Sequence, residues 1–301
     1  MTDEFVAEES WLSGAGLQAP AKAGAENFPV ALRLLPARHR RHLMAVYAFA
    51  RTTDDAGDLA PRSQRPDLLA ELARDVRRLY AWLEAAGPGT RKGDVDEPRL
   101  DAVRGLAGVV TDCAVPMQLF LDLIQANVQD QTVTRYETFD ELAGYCKLSA
   151  NPVGRIVLHV FGVASVRRAE LSDSICTALQ LAEHLQDVGE DRRAGRIYLP
   201  AQDMRAYGCT EEDLLATSAG PSLRRLIAFE AGRARALMDA GAPLVGTLRG
   251  TARVAVAGYV AGGRAALAAI TAAGNDVLSA TPRPGKGRTV AELMTTYVRA
   301  R

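Results

Sequence analysis

Cysteine, aromatic residues and an excess of either charge are all scarce in this sequence, and each shortage excludes a class of protein. Four cysteines among 301 residues, with no Cys-x-x-Cys pair, are too few for a disulfide scaffold and lack the spacing of a zinc cluster. Lysine plus arginine total 36, as do aspartate plus glutamate, so the chain lacks the basic excess of nucleic-acid-binding proteins. The same balance excludes a highly charged, disordered chain.

A leader peptide and a membrane span are not indicated either. The first residues, MTDE, are acidic where a secretory signal would be basic and then apolar. No apolar run reaches the ~18 residues that a transmembrane helix needs. We therefore expect a cytoplasmic protein that has no nucleic acid among its partners.

The apolar pattern predicts helices and no sheet. Aromatic residues make up 6 % of the chain and hydrophobic residues 48 %, with alanine, leucine and arginine common, and this mix favours helices. In the segment 66–86, Leu69, Leu72, Val76 and Leu79 recur at helical spacing. The predicted helices cover roughly 36–59, 66–86, 97–113, 116–130, 137–164, 167–191, 211–217, 221–241, 248–273 and 290–300.

No repeat and no linker-like segment divides this pattern. The irregular stretches 87–98 and 279–287 are each followed by helical patterning of the same type. We predict a weakly structured N-terminal segment over residues 1–25 and one all-α domain over 26–301.

Two aspartates near the end of the first predicted helix stand one turn apart. Asp54 and Asp58 are four residues apart, so both carboxylates project from one face. Their repulsion costs roughly 0.2–0.5 kcal/mol unless something compensates it. Arg51, one turn earlier, could pair with Asp54, and a divalent cation would compensate better. Gly57 weakens the helix here, which would be tolerated if a ligand needs space beside the backbone. A solvated helix end with spare acids is the alternative for this motif alone.

The same pattern recurs in the helix predicted over 167–191. Asp187 and Asp191 again stand four residues apart with a glycine between them, and Glu190 adds a third carboxylate. If the two helices face each other, these acids converge on one site, whose burial without a cation would be costly. Carboxylate oxygens acting together with substrate phosphates are typical of Mg²⁺ sites. The two pairs together predict a Mg²⁺-dependent site that binds a diphosphate and releases it.

Longer segments around both pairs resemble one enzyme family. They are ENFPV at 26–30, VYAFARTTDDAGD at 46–58, QDVGED at 186–191 and GRIYLP at 195–200. In this order, from about residue 25 to 290, the chain resembles the squalene/phytoene synthase family. The resemblance implies an all-α isoprenoid synthase fold, a single-domain helical bundle around a central cavity. It also implies that two aspartate motifs hold Mg²⁺ against the diphosphate of a prenyl substrate.

Two segments resemble one branch of that family in particular. ENFPV at 26–30 and YCKLSANPVGR at 145–155 are similar to the HpnC group, the hydroxysqualene synthases of bacterial hopanoid pathways. This implies a lyase that converts presqualene diphosphate and water into hydroxysqualene and diphosphate. The alternatives are head-to-head transfer between farnesyl diphosphates, giving presqualene diphosphate or squalene, phytoene synthesis, and a non-catalytic scaffold on the same fold.

The resemblance assigns roles to individual residues. The metal ligands would be the aspartates of the two pairs, Asp54, Asp58, Asp187 and Asp191. Tyr47 and Arg51 would act in catalysis, with Arg51 on the diphosphate. The residues implied to bind substrate are Asn27, Phe28, Tyr145, Ser149, Asn151, Gln180, Glu183 and Arg196.

The implied reaction needs a wall that tolerates a carbocation and one admitted water molecule. Phe28, Phe49 and Tyr145 are candidates for the wall because their π faces attract a cation, and ordinary core packing is the alternative for each. Ser149, Asn151 and Gln180 are polar enough to hold the water, and the sequence does not choose among them. Asn151 precedes a proline inside a predicted helix, which would kink the helix and free a carbonyl.

Three positions depart from the family pattern. Glu183 replaces an asparagine common one turn before the second pair, Gln186 replaces the usual arginine, and Glu26 stands where a basic residue is common. These changes leave fewer donors near the diphosphate, which disfavours condensation of two diphosphates more than ionisation of one. Glu183 or His184 could instead orient the water.

The surroundings of the site remain open at this point. Lys286 and Arg288 fall in a basic loop predicted near the C-terminus, which could close over the diphosphate or simply be solvated. The long apolar substrate would favour a peripheral visit to the inner membrane face, and a partner synthase would supply it.

Overall fold

The computed structural model describes residues 35–85 and 95–299, and in this part of the chain every regular element is a helix. One isolated parallel bridge joins Arg135 to Ile197. The predicted all-α class is therefore confirmed. The described residues form two compact units, one of 35–85, 95–132 and 155–164, the other of 133–154 and 165–299. Asn27, Phe28 and the segment predicted over 1–25 lie outside the described residues.

The first unit is built from three long helices that pack against one another, α1 (Ala37–Asp58), α2 (Arg65–Ala85) and α5 (Met117–Gln129). Two short helices, α3 (Asp101–Arg104) and α4 (Ala107–Cys113), connect α2 to α5. The rings of Phe49 on α1 and Phe120 on α5 are fully buried and meet edge to face, with centroids 5.3 Å apart. This contact lies in the core that fixes α1 against α5.

The helices of the second unit pack around one long helix, α8 (Val166–Gln186). This helix contacts the two longest helices that follow it in the chain. The elements of the unit are α6 (Phe139–Ser149), the start of α7 (Asn151–Val160), α8 (Val166–Gln186), α9 (Val188–Arg193), α10 (Ala201–Ala206), a 3₁₀ turn (Glu212–Leu215), α11 (Pro221–Gly241), α12 (Leu244–Thr247), α13 (Gly250–Ala272) and α14 (Lys286–Arg299). Backbones of α8 and α11 approach so closely that a Cβ on Gly241 would lie 2.6 Å from the carbonyl oxygen of Leu171. Glycine is therefore required at this crossing.

Capping side chains explain where several of these helices begin. Thr138 accepts a hydrogen bond from the backbone N–H of Glu141 at 3.2 Å, and Glu141 accepts one from the N–H of Glu137 at 2.7 Å. Together these two hydrogen bonds start α6, with the Glu141 carboxylate bound to the residue before the N-cap. Ser165 caps α8 in the same way, by accepting from the N–H of Arg168 at 3.3 Å.

The helix boundaries differ from the predicted ones in several places. The segment predicted as one helix over 137–164 is broken at Ala150, because Pro152 has no N–H and begins a new helix in its first turn. The helix predicted over 167–191 is interrupted at Asp187. The helix predicted over 97–113 begins at Asp101 and is divided into α3 and α4. The last helix begins at Lys286, so Lys286 and Arg288 belong to a helix and not to the predicted loop.

One helix among the described residues, α13, is long and apolar enough to cross a membrane by length and composition. Its most apolar window is 61 % buried inside the protein. It packs against α8, α11 and α14, which is the pattern of a core helix in a globular unit.

Candidate functional site

The first acid pair occupies the last two turns of α1, in the first unit. Tyr47, Arg51, Asp54 and Asp58 follow one another at three- and four-residue spacing, so they share one stripe of the helix. Both aspartates are exposed, whereas the neighbouring Thr53 and Asp55 are buried. The helical geometry predicted for this pair is therefore present.

Arg51 pairs with a different aspartate from the expected one. Its guanidinium Nη2 lies 2.6 Å from Oδ1 of the buried Asp55. This pairing, between residues four apart, takes the place of the suggested pairing with Asp54, although the charge of Asp54 still acts on Arg51. Arg51 is thereby held in place one turn before the acid pair.

Asn127 on α5 reaches across to the first acid pair. Its Nδ2 donates hydrogen bonds to Asp54 Oδ1 at 3.0 Å and to the carbonyl of Leu123 at 3.3 Å. Gln131 Nε2 adds bonds to the carbonyls of Gly57 at 3.1 Å and Asn127 at 2.9 Å. The end of α1 is thus fastened to α5 through polar side chains.

Gly57 is explained by this packing and not by space for a ligand. A Cβ at this position would lie 2.4 Å from Asn127 Oδ1, far inside van der Waals contact. The side chain of Asn127 occupies the space beside Gly57 in which a ligand was expected. The glycine therefore lets an amide approach the helix that carries the acids.

The pKa of Asp54 is raised to about 6. Desolvation by the surrounding protein is the largest cause, even though the side chain keeps access to solvent, and the charges of Asp58 and Asp55 add to it. The hydrogen bond from Asn127 and the charge of Arg51 act in the opposite direction. A carboxylate in this setting gains from a bound cation.

The second acid pair lies at a helix junction in the second unit. Asp187 stands between α8 and α9 with φ −104° and ψ 12°, so the expected continuous helix is interrupted there. The N–H of Asp191 still donates to the carbonyl of Asp187 at 2.8 Å, which keeps the two residues one turn apart. The pKa of Asp187 is raised by burial first and then by the charges of Asp191 and Glu190.

Gln186 ties the end of α8 to the segment before the last helix. It is buried, and its Nε2 donates to the carbonyl oxygen of Pro282. Gln186 is therefore a structural anchor in this chain. The next residue, Arg283, is exposed, and its charge lowers the pKa of Asp187 against the effects of burial. The segment anchored by Gln186 therefore places the positive charge of Arg283 near the second acid pair.

Aromatic side chains and a histidine surround the predicted residue Tyr145. Its ring lies 5.6 Å from that of Tyr198 and 6.2 Å from that of His184, centroid to centroid. His184 and Tyr198 stack at 3.8 Å with 15° between their planes. Gln180 Nε2 lies 3.2 Å from His184 Nε2. The structure thus brings Tyr145 and Gln180 together around His184.

Ser149 and Asn151 flank the junction between α6 and α7. Asn151 is buried, and its Oδ1 accepts a hydrogen bond from Thr177 Oγ1 at 3.0 Å. Ser149 Oγ is buried and has no hydrogen-bond partner within the described part of the chain. Of the remaining predicted residues, Glu183 is exposed on α8, and the N–H of Arg196 donates to the carbonyl of Asp191 at 2.9 Å.

Asn127 and Arg283 were not predicted from the sequence. Asn127, in the last turn of α5, and Gln131, just after it, are polar residues four positions apart, and that spacing was a signal that could have been found. Arg283 carried no local signal, since its importance depends on the contact of Gln186 with Pro282.

The donor set of both acid pairs fits a hard cation. Within residues 35–85 and 95–299, no three His, Cys, Asp or Glu side chains are grouped closely enough to hold a metal ion by themselves. Mg²⁺ commonly binds through one or two carboxylates plus substrate phosphates and water. Burial, and to a smaller extent the neighbouring carboxylates, raise the pKa of Asp54 and of Asp187, and this is consistent with that mode.

Comparison with known proteins gives consistent matches over most of the chain. The sequence profile of the squalene/phytoene synthase family matches residues 21–288. A hydroxysqualene synthase of Sinorhizobium fredii is 35 % identical over 241 residues, which are 79 % of this chain and 76 % of that protein. A second, from Rhodopseudomonas palustris, is 36 % identical over 226 residues, 74 % of this chain and 72 % of that protein.

A solved structure agrees with both sequence matches. The crystal structure of squalene synthase HpnC from Alicyclobacillus acidocaldarius is similar with a TM-score of 0.74 and 37 % identity, covering 88 % of this chain and 95 % of that one. The family expected from the motifs is thereby confirmed, and with it the isoprenoid synthase helical fold. The chain belongs to the squalene/phytoene synthase family.

Proposed function

We propose that this protein is a Mg²⁺-dependent hydroxysqualene synthase, which converts presqualene diphosphate and water into hydroxysqualene and diphosphate. The observation that carries the proposal is the presence of two acid pairs, each with one aspartate whose pKa is raised, Asp54 and Asp187, in a chain 35 % identical to a hydroxysqualene synthase. In this proposal Asp54, Asp58, Asp187 and Asp191 hold the metal. The protein acts in the cytoplasm as one domain, with peripheral contact to the inner membrane face and a partner synthase upstream.

Departure of the diphosphate requires positive charge where negative charge develops. Bound Mg²⁺ would supply Lewis-acid stabilisation of the phosphate oxygens. Arg51, held by Asp55, and Arg283, held by the anchored segment, bring guanidinium groups to the first and second acid pairs respectively. Their donors suit phosphate oxygens because each presents several N–H groups in a fixed plane.

The carbocation that remains needs a dry, weakly nucleophilic wall until one water attacks it. The stacked rings around Tyr145 offer π faces to such a cation. Phe28 is proposed for the same role, and Asn27 and Arg196 for binding substrate, from the family motifs alone. Two polar groups able to bind water flank the junction between α6 and α7. They are Asn151 and Ser149 Oγ, which is buried and has no hydrogen-bond partner among the described residues.

The test is a turnover assay with two diphosphates. The purified protein is incubated with Mg²⁺ and presqualene diphosphate without NADPH, and the product is identified by mass spectrometry. Hydroxysqualene is expected, with loss of at least 100-fold in Asp54→Asn and Asp187→Asn and none in Asp67→Asn, whose side chain is exposed on α2.

Farnesyl diphosphate, assayed in parallel, separates the alternatives. Its conversion to presqualene diphosphate or squalene would contradict the proposal and move the chain to the condensing enzymes. Geranylgeranyl diphosphate converted to phytoene would do the same in favour of phytoene synthesis. Absence of turnover with all three substrates would favour a non-catalytic scaffold.

A further inference from the structure

Three polar side chains of the second unit form a continuous row beside the second acid pair. Gln180 and His184 stand one turn apart on α8, with Gln180 Nε2 and His184 Nε2 3.2 Å apart. The other ring nitrogen, His184 Nδ1, lies 3.9 Å from Asp191 Oδ2. The histidine therefore lies between a carboxylate of the proposed metal site and the amide of Gln180.

This arrangement selects one tautomer of His184 and one orientation of the Gln180 amide. A carboxylate next to Nδ1 favours a proton on that nitrogen. Nε2 is then the acceptor, and it takes the hydrogen bond that the NH₂ group of Gln180 donates. The carbonyl oxygen Oε1 of Gln180 is directed away from the histidine as a result.

Packing keeps the imidazole in this position. The side chain of His184 is 11 % exposed, and its ring stacks on Tyr198 at 3.8 Å with 15° between the planes. Tyr145 lies on the same cluster, with its centroid 6.2 Å from that of His184. A ring that is held on one face and hydrogen-bonded at its edge has little freedom to rotate, and the amide attached to it is fixed in turn.

We propose that His184 is a positioning residue that turns the Gln180 carbonyl oxygen toward the water molecule that ends the reaction. The inference rests on the proposed function and deepens it, because it names the pair that makes the product an alcohol. The contact with His184 distinguishes Gln180 from Ser149 and Asn151, the other polar residues considered for binding the water. Neither of these has a hydrogen bond to His184 in the described structure.

The step itself needs no external reagent. After diphosphate has left with the electron pair of the carbon–oxygen bond, a lone pair of the water oxygen forms the new carbon–oxygen bond to the carbocation. The resulting oxonium ion loses one proton, which the released diphosphate accepts. Gln180 Oε1 accepts a hydrogen bond from the water throughout and so aligns its lone pair with the empty orbital.

The experiment compares diphosphate release with product identity. His184→Phe keeps a ring for stacking on Tyr198 and removes both nitrogens, and Gln180→Met removes the amide at similar length. Gln118→Met is the matched control, since Gln118 bonds Asp122 on the exposed part of α5. Holoprotein with Mg²⁺ and presqualene diphosphate is assayed for diphosphate release and, by mass spectrometry, for hydroxysqualene and for hydrocarbons formed by proton loss.

In both site variants the amount of hydroxysqualene made per diphosphate released is expected to fall at least fivefold, while hydrocarbons rise. The double variant should match either single one, because the two residues act as one unit. An equal fall in release and in hydroxysqualene, with the product ratio unchanged in both variants, would overturn the inference. Failure of wild type to make hydroxysqualene would instead show that the proposed function had failed.

Discussion

Asn127 Nδ2 donates a hydrogen bond to Asp54 Oδ1 at 3.0 Å and so connects α5 to the acid pair on α1. The same side chain occupies the space beside Gly57, since a Cβ on Gly57 would lie 2.4 Å from Asn127 Oδ1. The glycine, the amide and the carboxylate therefore form one local arrangement. A change to any of the three should affect the other two.

Gly57→Ala should destabilise the first unit and reduce activity. The added methyl group meets Asn127, so one of the two helices has to shift, which typically costs about 1–3 kcal/mol. Thermal unfolding and turnover measure the two effects. Gly232→Ala is the control, because a Cβ there meets nothing within 4 Å in the middle of α11. Equal melting temperatures for the two variants would contradict the packing argument.

Asn127→Leu should weaken Mg²⁺ binding at the first acid pair without unfolding the protein. The variant removes the donor that orients Asp54, and loss of such a supporting hydrogen bond lowers metal affinity by roughly 10–100-fold. Activity measured against Mg²⁺ concentration gives the apparent affinity. A Mg²⁺ titration identical to that of wild type would refute the positioning role, and Gln118→Leu on the same helix controls for the substitution itself.

Gln186→Leu should loosen the segment that precedes α14. The variant leaves the buried carbonyl of Pro282 without its donor, and an unpaired buried acceptor costs about 1–3 kcal/mol. Denaturant unfolding should show this loss, and Gln202→Leu, an exposed position on α10, should not. Hydrogen exchange over residues 279–285 should quicken in the Gln186 variant, and unchanged exchange would contradict an anchoring role.

Arg283→Gln should lower kcat/KM for the diphosphate substrate by roughly 10- to 150-fold while leaving stability unchanged. A charge-assisted contact to a phosphate is worth about 1.5–3 kcal/mol, and Arg283 is exposed, so its removal leaves the core intact. Steady-state kinetics with Arg288→Gln as control distinguish a specific contact from general positive charge. Equal effects of the two variants would support general charge only.

The free energy of unfolding should fall as pH rises toward neutrality, because of the buried carboxyl group of Glu230. Arg233 Nη1 lies 2.9 Å from Asp203 Oδ2 and 2.8 Å from both carboxylate oxygens of Glu230, and all three residues lie in the second unit. Burial raises the pKa of Glu230 from 4.5 to about 7, with the charge of Arg233 opposing it and that of Asp203 adding to it.

The folded protein therefore keeps a proton on Glu230 between about pH 4.5 and 7 that the unfolded chain releases. Stability from this group is complete below pH 4.5 and is lost as pH rises through 7, by at most about 3 kcal/mol. Unfolding of wild type and Glu230→Gln across this range measures the difference, with the exposed Glu170→Gln as control. A difference between wild type and Glu230→Gln that does not change with pH would contradict the prediction.

Much of the candidate site was predictable because helical spacing is local. Asp54 and Asp58 share a face wherever α1 forms, and Asp191 stays one turn from Asp187 through its bond of 2.8 Å even though the helix is interrupted there. Long amphipathic helices such as α2 and α5 were found nearly to the residue, since their apolar stripes are long. Short helices such as α10 and α12 were missed because a helix of one or two turns depends on its surroundings.

The all-α class, the two acid pairs and the family follow from the order of amino acids, because each depends on residue identity and on spacing along the chain. Tertiary structure alone decided that Arg51 pairs with Asp55, that Asn127 supports Asp54 and that Gln186 anchors Pro282. The last two contacts join residues 73 and 96 positions apart, so they arise from the way helices pack and not from local pattern. Gln180 and His184 are one turn apart on α8, so their contact is local, whereas the approach of His184 to Asp191 depends on the junction between α8 and α9.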